Sequence, residues 1–210
     1  EYPTLADSNM VGPYIAKADA TTGKQVWRTY LDNVNASGRW IGNANLNILE
    51  NGNIAFSWSN RIVLIDGDSG LILKRNTLPS GAAPAADVNY KHLTIAPDRT
   101  LILKDQTRPL GCKLQGTVAI IKCAAEGMKQ PNSQLVAVDP ETLEVLHGIE
   151  LPEPGTSPHI ITTFEGRIAI YISMDTMVQR AFWDPATKKL SLDENWIIRP
   201  MEKGQSAGTA

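Results

Sequence analysis

The chain is short of the features that most directly declare a function. Only two cysteines, Cys112 and Cys123, occur in 210 residues, with ten residues between them. That spacing is too wide for a redox C-x-x-C, and two thiols are too few for a zinc site, which needs four ligands. No apolar run approaches the length of about 18 residues that a membrane-spanning helix requires. Twenty Lys and Arg stand against 22 Asp and Glu, a net charge of −2. Without a basic excess to neutralise phosphates, a nucleic acid is not an expected partner. No segment carries a sustained helical apolar period, so the reading is all-β.

Hydrophobic residues make up 42% of the sequence, enough for a substantial core. Thirteen prolines and 16 glycines are spread along it and divide it into short pieces, as in a turn-rich β protein. A Cys112–Cys123 disulfide would close a short loop and contribute about 3 kcal/mol in the chain-entropy account. Two buried thiols are the alternative. A disulfide would point to an exported protein, periplasmic or extracellular.

A repeat organises the rest. Four segments share a strand, an Asp-led turn and a second strand: 14–31, 60–78, 133–151 and 179–192. Their anchoring acids are Asp19, Asp66, Asp139 and Asp184, spaced by 47, 73 and 45 residues. The middle spacing is one period with about 27 extra residues. Each Asp can accept hydrogen bonds from backbone N–H groups two or three residues on and close an Asx turn. Gly23 and Gly70, four residues after the first two anchors, suit a left-handed position in a bulged hairpin. Pro140 and Pro185 pre-set the turn in the last two. A second hairpin precedes each of the last three anchored ones, at 44–58, 91–105 and 159–173, turning at Asn51-Gly52, Pro97-Asp98 and Glu165-Gly166. Two hairpins per period of about 45 residues give a four-stranded unit the size of a β-propeller blade.

The run Asp19-Ala-Thr-Thr-Gly23-Lys-Gln-Val-Trp27 resembles the D-x-x-T-G-x-x-x-W repeat of quinoprotein-type (PQQ-like) β-propellers. That family includes quinoprotein alcohol dehydrogenases and the periplasmic lipoprotein scaffold of outer-membrane assembly. The resemblance implies that the Trp of one blade packs across to the next and that the Asp-Thr-Gly turn caps the outer strands. The match is complete only in the first repeat, the Trp position becoming Lys74, His147 and Leu192. Trp27, Trp40, Trp58, Trp183 and Trp196 are read as packing between blades.

The expected organisation is a partial blade at 1–33, blades at 40–80, 88–151 and 158–198, and the approach to a next inner strand at 199–210. The blade at 88–151 carries a Cys-bearing insertion at 106–133. About three and a half blades cannot close a ring, since propellers use four to eight. The expectation is a segment of a larger propeller, or an arc completed by another chain; a self-contained small β domain is the alternative.

Function is expected on the loops of the face that carries the insertion. The polar candidates there are Arg39, Trp40, Asn43, Asp87, Asn89, His159 and Arg199. Gly204-Gln-Ser206-Ala-Gly208 fits the G-x-S-x-G nucleophile elbow in letters but lacks its strand-turn-helix context. Asp66-Gly-Asp68-Ser-Gly70 begins like a calcium loop, but Leu71 stands where Gly is needed and Thr77 where the bidentate Glu belongs. Two functional classes follow. One is a binding scaffold without cofactor, whose loops take a protein or small-molecule partner and whose ends meet a protein partner or the remaining blades. The other is part of an oxidoreductase holding pyrroloquinoline quinone (PQQ) and calcium, to which Asp87 and Asn89 would contribute.

Overall fold

Apolar alternation and a left-handed residue after each Asp-led turn fold the chain into successive antiparallel hairpins. The computed structural model describes residues 14–31, 45–113, 117–155 and 158–199. The first hairpin, β1 (Tyr14–Ala18) and β2 (Gln25–Tyr30), is a two-stranded sheet. Three four-stranded meanders follow. The first contains β3 (Asn45–Ile48), β4 (Ile54–Trp58), β5 (Arg61–Ile65) and β6 (Ile72–Thr77). The second contains β7 (Val88–Ile95), β8 (Leu101–Thr107), β9 (Gln134–Val138) and β10 (Val145–Glu150). The third contains β11 (His159–Phe164), β12 (Arg167–Ser173), β13 (Val178–Asp184) and β14 (Lys189–Ile198). These are three complete blades and an outer hairpin, the expected all-β architecture.

The anchors work as their chemistry dictates. The Asp19 carboxylate accepts the Thr22 N–H at 2.7 Å, Asp66 that of Ser69 at 2.7 Å, and Asp139 that of Thr142 at 2.8 Å. Asp184 accepts the Ala186 N–H at 3.0 Å and the Thr187 hydroxyl at 2.7 Å. The hydroxyls of Thr22, Ser69 and Thr187 hold Asp19, Asp66 and Asp184 below the usual carboxylate range. Four residues after each anchor the backbone is left-handed, at Gly23, Gly70, Leu143 and Lys188. Exposed Lys188, at φ 53°, bears the steric cost of that region without a packing return. Lys188→Gly is therefore expected to raise stability by about 0.5–1 kcal/mol in chemical denaturation. A loss of stability would show that the Lys188 side chain contributes more than its backbone costs.

The sheets stack face to face. Ile15, Trp27 and Leu31 pack on Ile54, Phe56, Trp58, Val63 and Ile65 of the first blade. Ala55, Ile62 and Leu64 of that blade meet Leu93, Leu101, Leu103, Val136 and Val138 of the second. Ile102, Leu135 and Ala137 then meet Ile170, Ile172, Ala181 and Trp183 of the third. The packing role implied for Trp27 is present. Its indole N–H donates to the Gly67 carbonyl at 3.2 Å, and its ring lies so close to Gly70 that a Cβ there would fall 2.7 Å from a ring carbon. Gly70 is thus required both by its left-handed φ of 76° and by the indole. Trp58 and Trp183 also lie in these interfaces, whereas half-buried Trp196 stacks on Tyr171, 5.0 Å between centroids, and does not join them.

Two readings are corrected. In the first three units a bulge beside the anchor places Trp27 opposite Lys17, Lys74 opposite Leu64 and His147 opposite Ala137. The last unit has no bulge there, so Phe182 faces Ser191. Ser191, not Leu192, takes the Trp position, and Leu192 turns back into the core between the second and third blades. The second correction is a helix within the insertion, α1 (Thr117–Ala125), which no apolar period announced. At nine residues it is too short to hold itself in water, and the Cys112–Cys123 disulfide ties it to the first leg of the insertion. No described helix is long and apolar enough to cross a membrane.

The two ends of the arc are unlike its middle. Leu46 and Ile48 on β3 face the side where the described residues of the first unit form an outer hairpin, and Ile48 is 66% exposed. Leu93, the counterpart of Leu46 on β7, is 3% exposed because the preceding blade covers it. At the other end Ile160 on β11 is 67% exposed on the face away from the second blade.

Candidate functional site

The insertion leaves β8 and returns to β9 on the face where β7 and β11 begin. Its base is stitched closed. The Arg108 Nε and Nη2 both donate to Asp87 Oδ1, at 2.8 and 2.6 Å, and the Arg108 N–H donates to the Asp87 carbonyl at 2.9 Å. Gln130 Nε2 donates to the Thr107 carbonyl at 3.0 Å, and the Thr107 hydroxyl to the Pro131 carbonyl at 2.5 Å. Higher up, the Leu110 N–H bonds the Lys129 carbonyl at 2.9 Å, and Cys112 and Cys123 are both buried. The insertion is a closed, cross-linked projection.

Beneath it lies a buried polar layer. All seven residues of β8 are buried, including Lys104, Asp105, Gln106 and Thr107. Side chains alternate along a strand, so Lys104 and Asp105 point to opposite seams. Lys104 faces the third blade, where its Nζ donates to the Gly155 carbonyl at 2.6 Å. Gly155 in turn donates its N–H to the Ser133 hydroxyl at 3.1 Å, and a Cβ at this position would meet the Ser173 carbonyl at 2.7 Å. Asp105 faces the first blade and accepts the Gln134 N–H at 2.7 Å. Burial dominates both titrations: it pushes Asp105 up to about 7 and lowers Lys104 to about 8. His159, the first residue of β11, is lowered to about 3 by burial and then by the Lys104 charge, so it is a neutral imidazole at physiological pH. Tyr90 donates its hydroxyl to the Pro79 carbonyl at 2.8 Å, and burial raises its pKa.

The structure does not gather the described ones of the expected polar residues into one site. Asp87 is engaged with Arg108 at the base of the insertion. Asn89 is buried and its side-chain oxygen accepts the Ser59 N–H at 2.8 Å, which joins the first and second blades. His159 lies in the other seam, beside Lys104. Arg199 is exposed and sits 3.6 Å from Glu153, whose carboxylate also accepts the Thr176 N–H and hydroxyl. Arg39, Trp40 and Asn43 lie outside the described residues, as do Ser206 and the expected strand approach beyond Arg199. Lys104, Asp105 and Gln106 were missed as members of the face. The available signal was Lys-Asp-Gln-Thr continuing an apolar Leu-Ile-Leu strand without a turn residue between them.

No protein-family model and no curated protein matches the chain. Among solved structures it is similar to the quinohemoprotein alcohol dehydrogenase of Comamonas testosteroni, at 11% identity and TM-score 0.57, over 92% of this chain and 33% of that one. It is similar to the Dos1 propeller at 13% identity and TM-score 0.56, over 93% and 44%. BamB of Moraxella catarrhalis matches at 13% identity and TM-score 0.49, over 89% and 42%. The chain thus spans less than half the length of each of these three. At such identities the likeness to the first two establishes the fold alone, that of a β-propeller, of which these blades form an arc.

Proposed function

We propose that the chain is the part of an exported binding propeller that presents the insertion-bearing face to a partner, with further blades completing the ring. The observation that carries this reading is the state of that face. Asp87, Thr107, Arg108 and Gln130 brace a cross-linked projection, and Leu110, Ile121 and Met128 on that projection are exposed. The disulfide supports an oxidising compartment. The exposed Ile48 and Ile160 at the arc ends support additional blades.

The oxidoreductase reading, as part of a PQQ-dependent quinoprotein, needs carboxylate and amide oxygens free to hold calcium beside the quinone. Asp87 and Asn89 fit that task poorly, because Arg108 engages Asp87 Oδ1 twice and the Ser59 N–H engages Asn89 Oδ1. Among the described residues no three His, Cys, Asp or Glu side chains cluster as metal ligands. Titrating the protein with PQQ and calcium discriminates the two readings. The scaffold reading expects no saturable change in the quinone absorption and no rise in melting temperature. A stoichiometric spectral shift with a higher melting temperature would replace it with the oxidoreductase.

A further inference from the structure

We propose that the disulfide-clamped insertion is a docking surface for a protein segment that is acidic and carries apolar anchors. The inference rests on the binding-scaffold reading and names the chemistry of its partner.

The first observation is a set of apolar side chains left in the open on the C-terminal half of α1 and beside it. The α1 sequence, Thr-Val-Ala-Ile-Ile-Lys-Cys-Ala-Ala, contains one charged residue. Cys123 is buried by its bond to Cys112, while Ile121 is 52% exposed and Ala124 and Ala125 are exposed. Leu110 and Met128 are exposed too. Backbone bonds bring them to the same projection: Leu110 N–H to the Lys129 carbonyl at 2.9 Å, and Met128 N–H to the Cys123 carbonyl at 3.1 Å. A cross-link that holds these apolar side chains against water has a cost unless something covers them.

The second observation is the sign of the surrounding charge. Lys113, Lys122 and Lys129 are exposed on this projection, with Glu126 the one described acid among them. None of the three lysines has an ion-pair partner among the described residues. The chain as a whole carries a net charge of −2, so this positive excess is local. An apolar centre with a charged rim is the anatomy of a protein interface, and the rim selects an acidic partner and speeds its approach. An anionic membrane would read the same lysines, but residues 106–133 contain no Trp, Tyr or Phe to enter the lipid interface.

The test is selection of random 15-residue peptides displayed on phage, with the immobilised, oxidised chain as bait. The selected peptides are then synthesised and titrated. The expected result is enrichment of Asp and Glu together with Leu, Ile or Phe, and binding that weakens as salt is raised. The triple variant Lys113→Glu, Lys122→Glu, Lys129→Glu, at exposed positions that leave the fold intact, should weaken binding at least about tenfold. Ile121→Asp should do the same. Selected peptides that lack acids, or that bind these variants undiminished, would overturn the insertion as the docking surface while leaving the scaffold reading in place. Failure to select any peptide would count against both. Binding to vesicles with about 30% phosphatidylserine, lost in the triple variant, would replace the protein partner with a membrane surface.

Discussion

Replacing Trp27 by Ala is expected to release the first hairpin from the arc. Trp27 is 9% exposed and is the largest side chain that β1 and β2 contribute to their interface with the first blade. The truncation removes its burial and its bond to the Gly67 carbonyl, at a cost of about 3–5 kcal/mol. A lone two-stranded hairpin is marginal in water, and among the described residues only Ile15 and Leu31 join Trp27 in packing it on the first blade's core. The loss should therefore appear as local opening. Hydrogen exchange at residues 14–31 should accelerate about a hundredfold or more, while β7–β9 keep their protection. Unchanged exchange at 14–31 would show that Trp27 does not hold the hairpin in place.

The second large effect concerns Asp105 and pH. Burial raises its carboxyl to about 7 in the folded chain, against 3.8 for the ordinary group. Below pH 4 both states hold the proton and the shift has no effect. As pH rises from 4 to 7 the unfolded chain releases that proton while the folded chain retains it. The stability linked to this group is therefore lost over that window, up to about 4 kcal/mol at 1.36 kcal/mol per unit. Asp105→Asn removes the titration and keeps an oxygen to accept the Gln134 N–H. Urea denaturation from pH 4 to 7.5 should show the variant gaining about 2–4 kcal/mol on the parent across the range. His159, lowered to about 3, works in the opposite sense: its contribution is lost as pH falls below about 6.5. It does so in both proteins and cancels in the difference. Parallel profiles would mean that Asp105 is ionised and paired in the folded chain.

These two residues mark the boundary of what the sequence discloses. Trp27 was legible because its turn is local: an Asp accepting N–H groups within three residues, a left-handed Gly, and a Trp at fixed offset. The same locality located Asp66, Asp139 and Asp184. It failed at Leu192, because one absent bulge moves the register by a residue and turns the side chain to the other face. The α1 helix was hidden because it depends on a covalent cross-link and not on an amphipathic period. Asp105 and Lys104 were hidden for a different reason. Their burial comes from Gln134, Gly155 and the base of the insertion, contacts 29 and 51 residues away that no local pattern encodes. Asp87 and Asn89 were expected in a loop between blades, but Asp87 lies just before β7 and Asn89 within it, where Arg108 and the Ser59 N–H engage them through contacts that no local pattern encodes.

In the proposed larger propeller, further sheets cover both ends of this arc. Light scattering coupled to size exclusion tests it most directly, on the parent chain and on an Ile48→Lys, Ile160→Lys variant. The parent, of 22.9 kDa, is expected to run at twice that mass or more and to gain mass with concentration, and the variant to fall back toward a monomer. A parent that stays at 22.9 kDa at every concentration, or association that the variant leaves untouched, would contradict it.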